Sequence, residues 1–414
     1  MSTTTLPTYD QALGRILEHA PTLVAERVTL DDALGRVLLD DVAADRDQPP
    51  FDRSAMDGFA VRSGEVRRGT ALPVKGSVAA GGADASFQTP MAAGAVCRIA
   101  TGAPVPAGAD AVVPIERCRV EGDGDDERVA FDLDRVKPWD NVHRRASDAA
   151  AGQTVLRSGI RLAAHHLGIA AAVGAVSLRV TQRPRVSLIT TGDEVVACDT
   201  PTDRLGPQQI RNSNGPMLAA LLRGLGIDLL HHEHVPDDPE RTLCAAREAL
   251  SRSHLVLTVG GVSVGQRDFL PDAWRRLGLT AILHGIAIQP GKPVLACRWE
   301  EPDGNKLVLG LPGNPVSVLA TAHLFVRPVL GAMLTAGRDR ALPWRTVRLA
   351  EPAKAKASRQ VFRAAKLLDA GRAQASQLHG SGDLAHTAEA DGFVRLPLTD
   401  DPVPADTKVS YLAM

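Results

Sequence analysis

Three turns of this 414-residue chain pair an unusual backbone with side chains able to handle anions. In each, an apolar strand-like run enters a tight turn rich in glycine or proline and leaves into a helix-compatible segment. They are RVSLIT into TGDE (185–194), HLVLTV into GGVSVGQRD (254–268), and KLVLG into LPGNPVS (306–317). The first offers the carboxylates of Asp193 and Glu194, which suit a cation or, equally, the cap of a helix. In the second, Gly260, Gly261 and Gly265 expose peptide N–H groups, Ser263 adds a hydroxyl and Asp268 a carboxylate. Such loops cradle phosphates because nothing shields the amides, and they also serve as plain tight turns. The third sets Pro312 and Pro315 around Gly313 and Asn314, so its backbone is stiff before any ligand arrives and costs less entropy to order.

Between the first two turns, PDDP (236–239) places Asp237 and Asp238 ahead of a helix, where capping alone accounts for them. In a doubly wound topology, though, Glu194, Asp237 and Asp268 come to one rim. Carboxylates gathered there repel one another unless a cation sits among them, and oxygen ligands beside a phosphate-bearing substrate favour magnesium. Lys292, in QPGKP, follows the strand-like ILHGIAI, where its ammonium meets an anionic substrate or simply water. Upstream, RSAMDGFAVR carries Asp57, ATGAPVPAGADAVV carries Thr101, and NVHRRASD carries His143, Arg144, Arg145 and Asp148. Paired arginines suit phosphate recognition; each of these stretches also reads as a turn or a charged surface.

Elements that hold these turns follow from periodicity. From 185 to 330, strand and helix patterns alternate: RVSLIT, NGPMLAALLRGLG, DLLHHEHV, DPERTLCAAREAL, HLVLTV. That alternation implies βαβ units on a parallel sheet, whose strand ends are where ligands bind. Residues 9–40 carry two apolar stripes at helical spacing, Leu13, Ile16, Leu17 and then Leu30, Leu34, Val37, Leu38, which predicts two amphipathic helices. From Gln48 to about Val136 short apolar runs broken by Gly, Pro and Asp predict a β-rich module, in which EGDGDDE (121–127) is a solvated loop. Residues 158–180 return to helix-compatible sequence, and beyond Ala332 short strands (WRTVRLA, QVFRAAKLL, GFVRLPL) predict a small terminal β domain.

Composition bounds the class. A net charge of −1 gives no field to draw nucleic acid or an acidic membrane, and only 3% of residues are aromatic, too few for base-stacking platforms. The five cysteines, Cys97, Cys118, Cys198, Cys244 and Cys297, are scattered without a CxxC pair, which predicts a reducing compartment and no structural zinc. The N-terminal stretch lacks a basic region followed by an apolar core, and no run is read as long enough to span a bilayer, so a cytoplasmic protein is expected.

Taken together, SAMDG, TGAPVP, the arginine-rich stretch ending in Asp148, TGDE, DDP, GGVSVG, PGKP and LPGNPVS occur in an order that resembles MoeA-type molybdopterin molybdenumtransferases, a likeness shared with the gephyrin E domain. The resemblance runs from about Asp47 to Pro328. It implies a multi-domain α/β and β protein: an elongated helical region (1–47 and 137–180), an inserted β-rich module (48–136), a MogA-like doubly wound α/β domain (181–331) and a C-terminal β-barrel-like domain (332–414). It further implies a homodimer with a cleft between the α/β domain of one subunit and the β-rich module of the other, a MogA-like adenylyltransferase and recipient molybdoenzymes as partners, and magnesium as the divalent ion. The implied reaction takes adenylylated molybdopterin and molybdate, places molybdenum on the dithiolene and releases AMP.

Carried over by position, Asp57, Thr101, Asp148, Glu194, Asp237, Asp268, Pro312 and Pro315 match functional residues of the family. Glu194, Asp237 and Asp268 are the expected magnesium ligands. Gly260, Gly261, Ser263, Gly313, Asn314, Arg144 and Arg145 are expected at the molybdopterin, and Lys292 neutralises charge as the anhydride breaks. Where some relatives carry two further lysines, this chain has Gly285 and Gln289; either Arg144, Arg145, Arg267 or His284 compensates, or substrate affinity is lower. Two other readings compete: adenylylation of molybdopterin, since the α/β domain alone resembles that enzyme, and a non-enzymatic scaffold. The flanking domains argue against the first, and the lack of a long linker or attached enzyme domain against the second.

Overall fold

The computed structural model describes residues 5–81, 90–227, 229–262, 268–300, 304–335, 342–368 and 371–414. The chain forms two compact units, one of residues 1–27, 35–39 and 179–414, the other of 28–34 and 40–178.

At the centre of the larger unit is a six-stranded sheet. Its strands are β1 (Val186–Thr191), β2 (Leu229–Val235), β3 (Leu255–Val259), β4 (Thr280–His284), β5 (Leu295–Trp299) and β6 (Lys306–Leu311), in the order β2-β1-β3-β6-β5-β4. The helices between them are α1 (Asn214–Gly224), α2 (Pro239–Arg252) and α3 (Leu270–Arg276), and α4 (Pro315–Thr321) and α5 (Arg327–Leu334) follow β6. Strands β2, β1, β3 and β6 are parallel. The sheet departs from the all-parallel expectation at β5, which runs antiparallel to both β6 and β4. No helix separates β4, β5 and β6 in sequence, so the chain has no crossover with which to return parallel.

Alternation along each central strand fills both faces. Leu255, Leu257 and Val259 of β3 join one core with Leu307, Leu309 and Leu311 of β6, whereas Val256 and Val308 join the core beneath α2 and α3. A strand apolar at every position is what a sheet covered on both sides requires. One cover is the continuous helical run 315–334, in which Pro328 follows a π-helical turn, Ala322–Val326. Contrary to the sequence reading, this run is long and apolar enough to cross a membrane; here its most apolar stretch is 83% buried inside the protein.

The N-terminal helix Tyr9–Glu18 belongs to the same core, with the Tyr9 ring edge-on to Phe325 and Phe362 at 5.6 and 5.0 Å. Segment 1–47 is therefore not helical throughout. The second expected helix is one turn, Leu30–Ala33, because Ala25–Thr29 is a strand and Gly35 leaves the helical region at φ +75°. Residues 342–414 close a five-stranded barrel in the order Gln360–Leu367, Arg372–Ala375, Arg345–Leu349, Lys408–Ala413, Gly392–Arg395 and back to Gln360–Leu367. Ile288 and Gln289, in the β4–β5 connection, pair in parallel with Gln360 and Val361 and so bind this barrel to the α/β domain.

The smaller unit holds a second six-stranded sheet, ordered Ala111–Pro114, Gly58–Val61, Val96–Ile99, Ala71–Val78, Arg128–Phe131, Cys118–Glu121. Phe59, Val61, Val96, Val113 and Phe131 form its core. Gly58 is required there: a Cβ at that position would lie 2.0 Å from the carbonyl oxygen of Val113.

Candidate functional site

In the smaller unit, three loops interlace. Ser54 donates to the carbonyl of Ala103, Gly102 to that of Ser54, and Ala55 to that of Asn141. This weave brings together two residues 44 positions apart: the backbone N–H of Thr101 donates to Oδ1 of Asp57 at 2.9 Å. That bond, followed by one from the Thr101 side chain, holds the Asp57 carboxyl below the usual carboxylate range. Asp148 lies 4.0 Å from Arg53, whose strand pairs with Val142–His143. Arg145 bonds Asp47 at 2.6 Å and Arg144 stacks on Trp139 at 4.6 Å, so the two arginines do not form a paired fork. Trp139, Asn141 and Ala146 take left-handed backbone conformations, at about 1–2 kcal/mol each for side chains other than glycine or asparagine. Such strain gathers where a loop is held for a purpose.

In the larger unit, the strand-end turns converge on a cavity of about 270 Å³ lined by Gly192, Glu194, Asn214, Asp237, Gly260, Gly261, Asp268, Gly313, Asn314 and Pro315. The acids next to one another in sequence divide their tasks. Asp193 accepts from the backbone of Asp237 at 3.0 Å and fixes that turn, while Glu194 lines the cavity. Asp238 caps α2 through the N–H of Arg241 at 2.8 Å, leaving Asp237 on the cavity wall. Gly260 and Gly261, at φ +82° and +62°, pass so close to Thr191 that a Cβ on Gly260 would meet its hydroxyl at 2.8 Å. The N-terminus of α1 opens onto this space beside Asn214, whose amide donates to the Gly313 carbonyl at 2.8 Å and whose Oδ1 is buried without a partner among the described residues. Ser263 and Arg267 lie outside the described residues.

Lys292 and Pro312 are elsewhere. They line an adjoining cavity of about 540 Å³ that shares the Asn314 wall and is closed by the barrel. Its wall carries Lys292, Lys354, Lys356, Arg359 and Arg363, with Ser317 and Ser381, and no carboxylate among the described residues. The four barrel cations escaped the sequence reading, since they sit in a short-stranded region without a turn motif. They line the same cavity as Gln289 and supply positive charge there, whereas His284 bonds the Val262 carbonyl at 2.7 Å.

Carboxylates on one wall and cations on the next form a two-part polar site built around LPGNPVS. Comparison with known proteins shows the family. Residues 7–174 match the MoeA N-terminal region (domain I and II), and residues 187–332 match the probable molybdopterin binding domain. The molybdopterin molybdenumtransferase of Synechococcus elongatus is 39% identical over 414 residues, covering 98% of this chain and 99% of the relative. The chain belongs to the MoeA family of molybdopterin molybdenumtransferases. A second family member, molybdopterin molybdenumtransferase 2 of Mycobacterium tuberculosis, is 36% identical over 92% of this chain and 93% of its own length. The solved MoeA protein of Pyrococcus horikoshii OT3 superposes with a TM-score of 0.80 at 25% identity, covering 99% of this chain and all of that one. Because these MoeA relatives match along nearly the whole chain, flanking regions included, the family match favours the transferase over a single-domain adenylyltransferase.

Proposed function

We propose that this chain transfers molybdenum from molybdate to adenylylated molybdopterin and releases AMP. The observation that carries the proposal is the juxtaposition of a carboxylate-lined cavity and a carboxylate-free cationic one on either side of the Pro312–Pro315 turn. A tetrahedral oxyanion is at home among Lys292, Arg359 and Arg363, with the Ser317 and Ser381 hydroxyls as further donors. The glycine turn at 260–261 lets a pyrophosphate approach peptide N–H groups. The orphaned Oδ1 of Asn214 accepts a hydrogen bond from an N–H donor of the pterin or nucleotide, which accounts for its lack of a partner among the described residues.

Magnesium fits the donors present. Glu194, Asp237 and Asp268 give an all-oxygen set on one wall, but they do not form a preassembled three-ligand cage: among the described residues only His379, Asp383 and His386 bring ligand atoms within 4.8 Å of one another. Magnesium is ordinarily held by one or two carboxylates with water and substrate phosphates, and needs no such cage. Bound there, it would neutralise charge on the phosphoanhydride as that bond breaks. The chain's own residues hold the adenylyl phosphate at the glycine turn, fix the Asp237 loop through Asp193, and keep the oxyanion in the neighbouring cavity until the anhydride is cleaved.

The remainder of the reading concerns assembly. We infer a cytoplasmic homodimer in which Asp57, Thr101 and Asp148 of one subunit complete the site of its mate, and four domains with boundaries near 48, 137, 181 and 332. Purified protein given adenylylated molybdopterin, magnesium and molybdate is expected to release one AMP per molybdenum inserted. Release that ignores molybdate, or none from folded protein, would overturn the proposal.

A further inference from the structure

The barrel loop between Ala375 and Gly392 gathers three side chains within eight residues. Nδ1 of His379 lies 3.1 Å from Oδ2 of Asp383, and Nδ1 of His386 lies 2.6 Å from Oδ1 of the same carboxylate. Local bonds set this arrangement. The His379 N–H donates to Asp383 at 2.9 Å, and a short 3-10 turn, Ala385–Thr387, brings His386 back over it. The imidazole rings stand 4.9 Å apart with their planes at 72°, and the ligand-capable atoms of all three residues lie within 4.8 Å of one another.

We propose that His379, Asp383 and His386 form a binding site for a divalent transition-metal ion of the zinc type. Donors bound at roughly 2.0–2.1 Å around a tetrahedral ion lie about 3.3 Å from one another; the observed nitrogen-to-oxygen separations of 3.1 and 2.6 Å, one to each oxygen of Asp383, are shorter, and all ligand atoms lie within 4.8 Å, so small side-chain rotations admit the ion. Two imidazoles and a carboxylate suit zinc or its neighbours in the first transition row and not magnesium, whose hard preference is for oxygen. The exposure of both histidines leaves a fourth position to water.

The site has a structural consequence. Between its ligands lies Ser381, whose hydroxyl accepts from Asn314 at 2.8 Å and whose carbonyl accepts from Val316 at 3.0 Å. His379, Gly380 and Ser381 also form part of the cationic cavity wall. An ion joining residue 379 to residue 386 therefore stiffens that wall.

Calorimetric titration of chelator-treated full-length protein with zinc sulfate tests the site, using wild type, His386→Gln and His379→Gln, with folding checked by circular dichroism. The expected result is one equivalent whose affinity falls at least tenfold in each variant, with a zinc-dependent rise in Tm that the variants lose. Should one variant fail to fold, the other decides. Equal stoichiometry and affinity in wild type and variants would place the ion elsewhere and would overturn the proposal. So would wild type that takes up no zinc.

Discussion

The side-chain amide of Asn314 donates to the hydroxyl of Ser381 at 2.8 Å, tying the turn that separates the two cavities to the barrel loop that walls one of them. A single neutral hydrogen bond of this kind contributes about 1 kcal/mol to stability, so its loss leaves the fold intact. Its effect on positioning is larger, because displacements near 1 Å cost up to about a hundredfold in rate. Ser381→Ala is expected to slow AMP release between about ten- and a hundredfold with Tm nearly unchanged, as read by coupled turnover assays and thermal melts.

Glu194 and Asp268 face solvent or half-face it, and their carboxylates add little to folding. Glu194→Gln and Asp268→Asn should each lower turnover by about a hundredfold or more while melting like wild type. Wild-type turnover in either variant would remove that residue from the site.

In the smaller unit, Gly58→Ala would drive a methyl group into the Val113 carbonyl, a backbone atom that cannot swing aside. Destabilisation of about 1–3 kcal/mol or more follows, measurable as a lower urea midpoint for the transition that exposes this sheet. A midpoint equal to that of wild type would show that the strand pair relaxes freely.

Acid sensitivity has a defined source in one buried imidazole, His323, and one half-buried, His254. His323 is pushed down to about 4, first by burial and then by Arg327; His254 is likewise lowered to about 4, by burial and then by Arg185 and Lys306. Nδ1 of His254 accepts from the Arg185 backbone at 3.0 Å, which fixes the neutral form. Unfolded, both take up a proton near pH 6.5, so the folded state binds fewer protons below that value. Their stabilising contribution is whole above about pH 6.5 and is lost as pH falls toward 4. Tm should therefore drop across that interval, and His254→Asn should flatten the drop.

Much of this molecule is legible in its sequence where local rules and global fold agree. LVLTV and KLVLGL read as strands, and their apolar residues find cores on both faces of the sheet, while TGDE, PDDP, GG and LPGNP mark the rim because tight turns need those residue types. The single-turn helix at Leu30–Ala33 was misread since a helical spacing of leucines does not register the break that Gly35 imposes. The antiparallel β5 follows from missing helices rather than from any property of LACRW. The cationic cavity was invisible for a different reason: Lys292 and Arg359 become neighbours only through the pairing of Ile288–Gln289 with a barrel strand, and no spacing in the sequence encodes that contact.

Steady-state AMP release with molybdate as the varied substrate most directly tests whether the two cavities divide the reaction. Lys292→Met should raise the KM for molybdate at least tenfold with a smaller change in kcat, whereas Glu194→Gln should lower kcat and leave that KM within about twofold. Identical effects of the two substitutions on both constants would contradict a site in which the cations hold the oxyanion and the carboxylates serve the anhydride.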